Sequence, residues 1–309
     1  MKGPLFYAKI LLFGEYGIIK DSKGLAIPYN FYQGALKVSE KLSDTAKESN
    51  QNLLNFHQYL VTIADKNNTH FRLDELRNDI DNGMYFDSSI PQGYGVGSSG
   101  ALVAAIYDKY ADDKITVLEN LTRDKLLQLK ETFSLMESFF HGKSSGLDPL
   151  NSYLSIPILI NSKDNLEATG IPSQKEGKGA VFLLDSEQVG ETEPMVNIFM
   201  NKMKNEGFRR MLNEDFANYT DACIDDFLHG NINSLFSNVK QLSKVVLANF
   251  KPMIPKAFHK LWQQGIDTNS YYLKLCGSGG GGYILGFTED YKKTQEILKN
   301  YKLELVYRF

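Results

Sequence analysis

The sequence predicts an α+β protein, and three observations predict it. Residues 5–13 alternate apolar side chains with period two, as a strand with one buried face does. Residues 124–141 carry Leu126, Leu127, Leu129, Phe133, Met136 and Phe140 in amphipathic helical order. The second half mixes strand-like runs at 180–185, 271–276, 283–287 and 302–307 with helical stretches. At 309 residues the chain has about two typical domain lengths, so two domains and one large α/β unit are both open. Hydrophobic residues make up 42% and charged residues 23%, which excludes a disordered, collagen-like or disulfide-scaffold chain. Lys plus Arg is 34 against 37 Asp plus Glu, a net charge of -3. No general pull toward nucleic acid or anionic membrane follows, and any phosphate site must be local.

The first strand, 5–13, places Phe6, Ala8, Ile10 and Leu12 on one side and Lys9 on the other, and Gly14 ends it. A turn on Asp21, Ser22, Lys23 and Gly24 returns into a strand at 24–31. A helical stretch follows at 52–66, and a strand at 84–90 is stopped by Pro91 and runs straight into a glycine-rich segment. Ser98 opens a helix to about Tyr110, with Leu102, Ala105 and Ile106 on one face. The helix at 124–141 stops at Gly142. After the loop 143–146 a short helix starts near Asp148, and a strand occupies 155–160. The polar, Gly- and Lys-rich segment 173–179 reads as a seam between halves. Beyond it come the strand 180–185, helices over roughly 193–265, two strands around a glycine run, a helix at 291–299 and a last strand. The chain has no internal repeat and no low-complexity tract.

Two cysteines, Cys223 and Cys276, in a chain this long fit a reducing compartment, and a cytoplasmic protein is expected. The apolar run 10–13 is too short for a signal sequence or a membrane span. His57, His70, His141, His229 and His259 lie far apart with no zinc-ligand spacing, so a His/Cys metal site is not expected.

The segment Pro91-Gln92-Gly93-Tyr94-Gly95-Val96-Gly97-Ser98-Ser99-Gly100 runs into a helix. Alternating glycines let a backbone approach a ligand closely, and the helix start adds unpaired N–H donors, which together make an anion cradle. A glycine-rich turn with a serine cap is the plainer reading of the same residues. Gly95-x-Gly97-x-x-Gly100 and Gly277-x-Gly279-x-x-Gly282 both match the dinucleotide fingerprint literally. The first starts too far past its strand and the second is followed by a strand, so neither has the required context. Gly142-Lys143-Ser144 mimics the end of a P-loop, but Glu137 stands where the leading glycine must be.

Three segments, Lys9-Ile10-Leu11-Leu12-Phe13-Gly14-Glu15-Tyr16, residues 91–101, and Lys274-Leu275-Cys276-Gly277-Ser278-Gly279-Gly280-Gly281-Gly282, resemble in order and spacing the three motifs of the GHMP small-molecule kinases. Residues 137–148 are a fourth matching stretch, so the resemblance spans most of the chain. Within that superfamily, residues 136–148 are most similar to mevalonate kinases, whose helix carries a Glu ahead of a His-Gly-x-Pro-Ser-Gly-x-Asp loop. Ser144 stands where that loop usually has Pro, and Tyr16 where those enzymes usually have His. Tyr at this position and an opening like Ser98-Ser99-Gly100 occur in phosphomevalonate kinases, the rival acceptor assignment. Diphosphomevalonate decarboxylases fit less well, because Lys9 and Glu137 are both present. A non-catalytic, ligand-binding relative has no need of Lys9, Glu137 and Asp148 together.

The resemblance implies a two-domain fold, a ribosomal-S5-like domain over 1–180 and a ferredoxin-like domain over 181–309, with the active site in the cleft between them. It implies ATP- and Mg²⁺-dependent phosphorylation of mevalonate or a related hydroxy acid in isoprenoid precursor synthesis. Asp148 would be the base, with Lys9 beside it. Gly93, Gly95, Gly97, Ser98, Ser99, Gly277 and Gly279 would bind the nucleotide, Glu15 and Tyr16 the substrate, and Ser99 and Glu137 the Mg²⁺. The implied partner is a small-molecule substrate, with no nucleic acid and no membrane, and a homodimer is compatible with it. Phosphoryl transfer needs held phosphates, neutralised charge and a group that orients or deprotonates the hydroxyl, and this chain offers each. Asp148 followed by Pro149 is also a helix start, so a capping role stands beside the catalytic one. The third glycine run lies against the phosphates or supports the first loop, and Thr192 is as well explained as a helix cap as by a substrate role.

Overall fold

The computed structural model describes residues 3–20, 22–64, 69–116, 121–174 and 176–309. Asp21 of the first expected turn, Lys66 at the end of the helix expected at 52–66, and Lys175 of the seam lie outside them. The chain divides into two compact units interleaved along it: Met1–Lys9, Pro28–Gln92 and Gly97–Ile156 form the first, and Ile10–Ile27, Gly93–Val96 and Pro157–Phe309 the second. They differ from a consecutive 1–180/181–309 division because two long strands, β1 (Phe6–Phe13) and β2 (Gly24–Val38), each contribute to both.

In the first unit, the C-terminal half of β2 pairs antiparallel with β3 (Met84–Ser88), from Gly34 opposite Ser88 to Val38 opposite Met84. The helices are α1 (Asp44–Ile63), α2 (Leu73–Asp81), α3 (Ser98–Tyr110), α4 (Arg123–His141) and α5 (Leu147–Leu154). Helix α1 packs on β3, while α3 and α4 pack on α5. Helix α3 is apolar nearly all round, with Ala101, Val103, Ala104, Ala105, Ile106, Tyr107 and Tyr110 buried, as a central helix must be. Tyr107, Phe133 and Tyr153 form an edge-to-face cluster between α3, α4 and α5. Strand β2 continues well past residue 31 because its weakly patterned second half finds β3 as a partner. Helix α1 starts at Asp44 rather than near residue 52: the Ser43 side chain accepts from the Ala46 N–H, and the polar first turns give no apolar period to read. Helix α2 buries only Leu76 and Ile80, too few to give the sequence an apolar period there.

In the second unit, β4 (Ile158–Ser162) and β5 (Asn165–Ala168) form a hairpin, and β4 also pairs with the N-terminal half of β2. The strand expected from residue 155 starts at Ile158, because Ser155 takes φ 52° to close α5. Next come β6 (Ala180–Asp185), α6 (Thr192–Lys202), α7 (Glu206–Met211), a π turn over Leu212–Phe216, α8 (Ala217–His229), α9 (Ile232–Asn249) and α10 (His259–Thr268). The chain ends with β7 (Tyr272–Leu275), β8 (Tyr283–Thr288), α11 (Tyr291–Ile297) and β9 (Leu303–Arg308). The four strands pair antiparallel in the order β7-β8-β6-β9, which with the chain order strand–helices–strand–strand–helix–strand is the ferredoxin-like arrangement. Every residue of the central strand β8 is buried, as are Ala180–Leu184 of β6. Among the described residues no helix is long and apolar enough to cross a membrane.

Phe182 lies opposite Gly286 in this ladder, and a Cβ on Gly286 would stand 2.2 Å from the Phe182 ring. Gly286→Ala is therefore expected to cost about 1–3 kcal/mol by overpacking. Urea denaturation should show that loss, and Phe182→Leu in the same chain should relieve part of it.

Candidate active site

Lys9 lies midway along β1 and is only 4% exposed. A buried ammonium needs a countercharge, and Asp148 supplies it: Lys9 Nζ is 2.8 Å from Asp148 Oδ1, while the Asp148 side chain stays 37% exposed. Asp148 is the second residue of α5, whose cap is the left-handed Gly146 with no side-chain hydrogen bond. Asp148 is thus not the cap of that helix. Two glycines bring the pair to the start of α3. A Cβ on Gly100 would stand 2.7 Å from the Asp148 carbonyl carbon, so its absence lets α5 approach α3. Gly97, at φ 82°, is the cap residue of α3, and a Cβ there would stand 2.9 Å from Lys9 Cγ. Ser98 and Ser99 are then the first two helical residues rather than caps, at the end where backbone N–H groups lack partners within the helix.

Ser99 Oγ donates to Glu137 Oε1 at 3.0 Å and is 3.0 Å from His141 Nε2. With one hydroxyl proton committed to Glu137, Ser99 accepts from the His141 ring N–H. Ser144 Oγ donates to the other Glu137 oxygen, Oε2, and accepts from the Gly146 N–H at 3.0 Å. The loop after α4 folds back onto that helix: Ser134 Oγ donates to the Ser144 carbonyl at 2.6 Å, and the Ser144 N–H reaches Ser138 Oγ. Glu137 is 3% exposed. Burial, and then repulsion from Asp148, push its carboxyl up to about 7, against the two serine hydrogen bonds and Lys9, which pull it down. Burial also holds the His141 imidazole below its ordinary range, so the ring is neutral at pH 7.

Among the described residues no group of three or more His, Cys, Asp or Glu side chains is arranged to hold a metal ion. Mg²⁺ needs no such cage, since it is commonly bound by one or two protein oxygens together with substrate phosphates and water. The buried carboxylate of Glu137 and the hydroxyl of Ser99, one hydrogen bond apart, are a hard oxygen pair that fits this demand.

The other glycines expected at the nucleotide, Gly93, Gly95, Gly277 and Gly279, belong to the second unit. Gly93 accepts from the Gly190 N–H at 2.9 Å, and a Cβ on Gly95 would stand 2.6 Å from the Cys276 carbonyl oxygen. The Tyr283 N–H donates to the Tyr94 carbonyl, and the Gly280 N–H to the Met253 carbonyl at 2.7 Å. Gly93, Gly95, Gly277 and Gly279 are therefore brought together in stacked loops, with φ between 63° and 78° at all four. The third glycine run thus packs on the first loop.

Glu15 and Tyr16, expected against the substrate, are engaged internally. Glu15 pairs with Lys274, and both side chains are 4% exposed. Tyr16, at φ 61°, donates its hydroxyl to the Ser278 carbonyl at 2.6 Å, and its ring packs on Phe199 and Phe250. Burial and the Glu15 charge push the Tyr16 hydroxyl well above its ordinary range, so it stays a neutral donor. Lys274, Ser144 and His141 were not singled out as site residues from the sequence. A lysine inside an apolar strand run was the available signal for the first, and the Ser144 departure from the resembled loop for the second.

No protein-family model and no curated protein sequence matches the chain. Solved structures do match. The L. major mevalonate kinase in complex with R-mevalonate aligns at a TM-score of 0.61 and 16% identity, covering 97% of this chain and 93% of that one. The Streptococcus pneumoniae phosphomevalonate kinase in complex with phosphomevalonate and AMPPNP gives 0.63 at 13% identity, over 99% and 100%. The Lactococcus lactis galactokinase complexed with galactose gives 0.62 at 13%, over 98% and 92%. At such identities the likeness is one of fold.

Two predictions follow from the buried charges. Between the ordinary 4.5 and about 7 the folded chain keeps the Glu137 proton that the unfolded chain has released, so this group's contribution to stability is lost as pH rises through that window. In metal-free thermal melts from pH 5 to 8, Glu137→Gln should remove that downward component of the wild-type curve. Lys274→Met strands the Glu15 carboxylate and should cost about 3–5 kcal/mol, whereas Glu15→Met with Lys274→Met should recover most of it. Chemical denaturation of the single and double variants checks this.

Proposed function

We propose, from the GHMP kinase fold that this chain adopts, that the protein is an ATP-dependent small-molecule kinase whose acceptor is mevalonate or a closely related hydroxy acid. The observation that carries the reading is the buried Lys9 ammonium 2.8 Å from Asp148, set by Gly97 and Gly100 at the open start of α3. Phosphoryl transfer depends on positioning and charge neutralisation more than on covalent participation by the protein. The acceptor hydroxyl gives its hydrogen to the exposed Asp148 carboxylate, which Lys9 holds in place. Backbone N–H groups of Ser98 and Ser99 meet phosphate oxygens, and Gly97 keeps the approach clear. Glu137 and Ser99 would hold Mg²⁺, which when bound neutralises phosphate charge. Gly93, Gly95, Gly277 and Gly279 keep the nucleotide loops in shape, while Glu15 and Tyr16 support the substrate side through Lys274 and Ser278.

The mevalonate assignment is supported by the similarity of residues 136–148 to mevalonate kinases and by a scarcity of cations. A phosphomevalonate site must hold a second dianionic phosphate, for which converging Lys or Arg side chains are needed. Near the motifs Lys9 is paired with Asp148, Lys274 with Glu15 and Lys23 with Asp225, and Lys20 and Lys143 stand as scattered exposed extras rather than as a converging set. The Tyr16 hydroxyl, a candidate donor to a mevalonate carboxylate or hydroxyl, is engaged with the Ser278 carbonyl and so favours neither acceptor, while Ser98-Ser99-Gly100 remains as support for phosphomevalonate.

Asp148→Asn should fold normally and lose on the order of 10²- to 10⁴-fold in kcat with little change in ATP affinity. Wild-type turnover would refute the catalytic assignment. Side-by-side assays of purified protein should give a kcat/KM for mevalonate at least about tenfold above that for phosphomevalonate, roughly 1.4 kcal/mol of differential transition-state binding. Equal or reversed preference overturns the acceptor, and absence of ATP consumption with mevalonate, phosphomevalonate, homoserine and galactose overturns the kinase reading.

A further inference from the structure

The second unit carries a cavity of about 420 Å³ between α9, the turn after it and α10, lined by Lys244, Leu247, Ala248, Lys251, His259, Lys260, Gln263 and Ile266. Its volume lies within the usual range for small-molecule sites. Leu247, Ala248 and Ile266 give it an apolar wall, and three lysines stand around that wall with no carboxylate in the lining. Lys244, Lys251 and Lys260 are exposed, and among the described residues none of them is in an ion pair, although the whole chain is net negative. Unneutralised like charges around a concavity repel one another and focus a positive potential into it.

Helix ends do not account for the lysines. Lys251 follows the C-terminus of α9 and suits its partial negative charge, but Lys244 lies inside α9 and Lys260 in the first turn of α10, where a cation is unfavourable. The cavity is also pre-shaped. His259 Nε2 donates to the Ile254 carbonyl at 2.9 Å and to the Lys251 carbonyl at 3.2 Å, fixing the turn that presents Lys251. Gln263 is committed to Asp267, so that nearby carboxylate is already partnered on α10.

We infer that this cavity is a binding site for a small phosphorylated ligand with a short hydrocarbon part, its phosphate among the three ammonium groups and its apolar part on Leu247, Ala248 and Ile266. None of these residues belongs to the kinase assignment, so the two readings stand or fall separately. An ester is favoured over a free inorganic anion because the wall is apolar, and a phosphate over a carboxylate because three cations match a dianion better than a monoanion.

The test uses hexyl phosphate, with inorganic phosphate and hexanol as comparison probes, followed by backbone amide NMR on the full chain. Hexyl phosphate should give saturable shifts between residues 244 and 266. The affinity read at those amides should fall at least tenfold in the exposed Lys244→Gln/Lys251→Gln/Lys260→Gln variant, and also in Ala248→Trp, which fills the cavity without changing charge. Inorganic phosphate and hexanol should each bind there at least tenfold more weakly. Thermal melts establish that both variants are folded. Absence of saturable shifts at these residues, or a triple variant that binds within twofold of wild type, overturns the site. Inorganic phosphate binding as tightly as the ester overturns the ligand class.

Discussion

Burial of the Lys9 ammonium in β1 is the constraint on which the geometry of the first unit depends. A charge at 4% exposure is tolerated only against a countercharge held at short range. The countercharge, Asp148, lies far along the sequence at the start of another helix, so that helix must arrive at a definite place. Gly146 turns the chain into α5 through a left-handed cap, and Gly100 removes the side chain that would keep α5 away from α3. Gly97 then leaves room for the Lys9 stem at the end of α3. Any larger residue at these positions would move the carboxylate relative to the ammonium, and the cost of a stranded buried charge enforces the arrangement.

A second carboxylate in the same unit raises the electrostatic demand. Glu137 is nearly fully buried, and repulsion from Asp148 adds to its desolvation, so it holds its proton more tightly than an exposed carboxyl does. Both of its oxygens are met by serine hydroxyls, Ser99 from α3 and Ser144 from the loop after α4. Ser144 replaces the proline of the loop it resembles, and its side chain both donates to Glu137 and accepts from the Gly146 N–H. A proline could do neither. In this chain the Glu137 carboxyl and the turn at Gly146 are thus held through one serine side chain. Ser99 is the shared element, since a hydroxyl that touches both Glu137 and His141 ties the open end of α3 to the last turn of α4.

The second unit organises its glycine loops by the same means. A buried ion pair, Glu15 with Lys274, joins the segment after β1 to β7, and Tyr16 spans from that segment to the Ser278 carbonyl. Backbone hydrogen bonds from Gly190 to Gly93, from Tyr283 to Tyr94 and from Gly280 to Met253 stack the loops against one another. Left-handed backbone at the glycines makes the stacking possible, because a Cβ at Gly95 or Gly282 would run into neighbouring main chain. Glu15 and Tyr16 of the first motif accordingly hold the loops, whereas Lys9 of the same motif pairs with Asp148.

Strand and helix identities were readable along the sequence wherever burial imposes a local period. The strand at 180–185 appears at those boundaries, the helix at 98–110 likewise, and the helix of 124–141 within one residue. The candidate site residues Lys9, Ser99, Glu137 and Asp148 could also be picked out, as residue types in a motif order, and the structure brings Lys9 to Asp148 and Ser99 to Glu137. Features without a local period were not. The polar onset of α1 after Ser43, the second half of β2 and the small helix α2 take their form from a cap, a partner strand and two buried side chains. Tertiary structure alone decided which charges are paired and which hydroxyls are occupied. Lys274 and Glu15 are 259 residues apart, and an ion pair of that separation depends on burial and approach distance, quantities that no local pattern of residues contains.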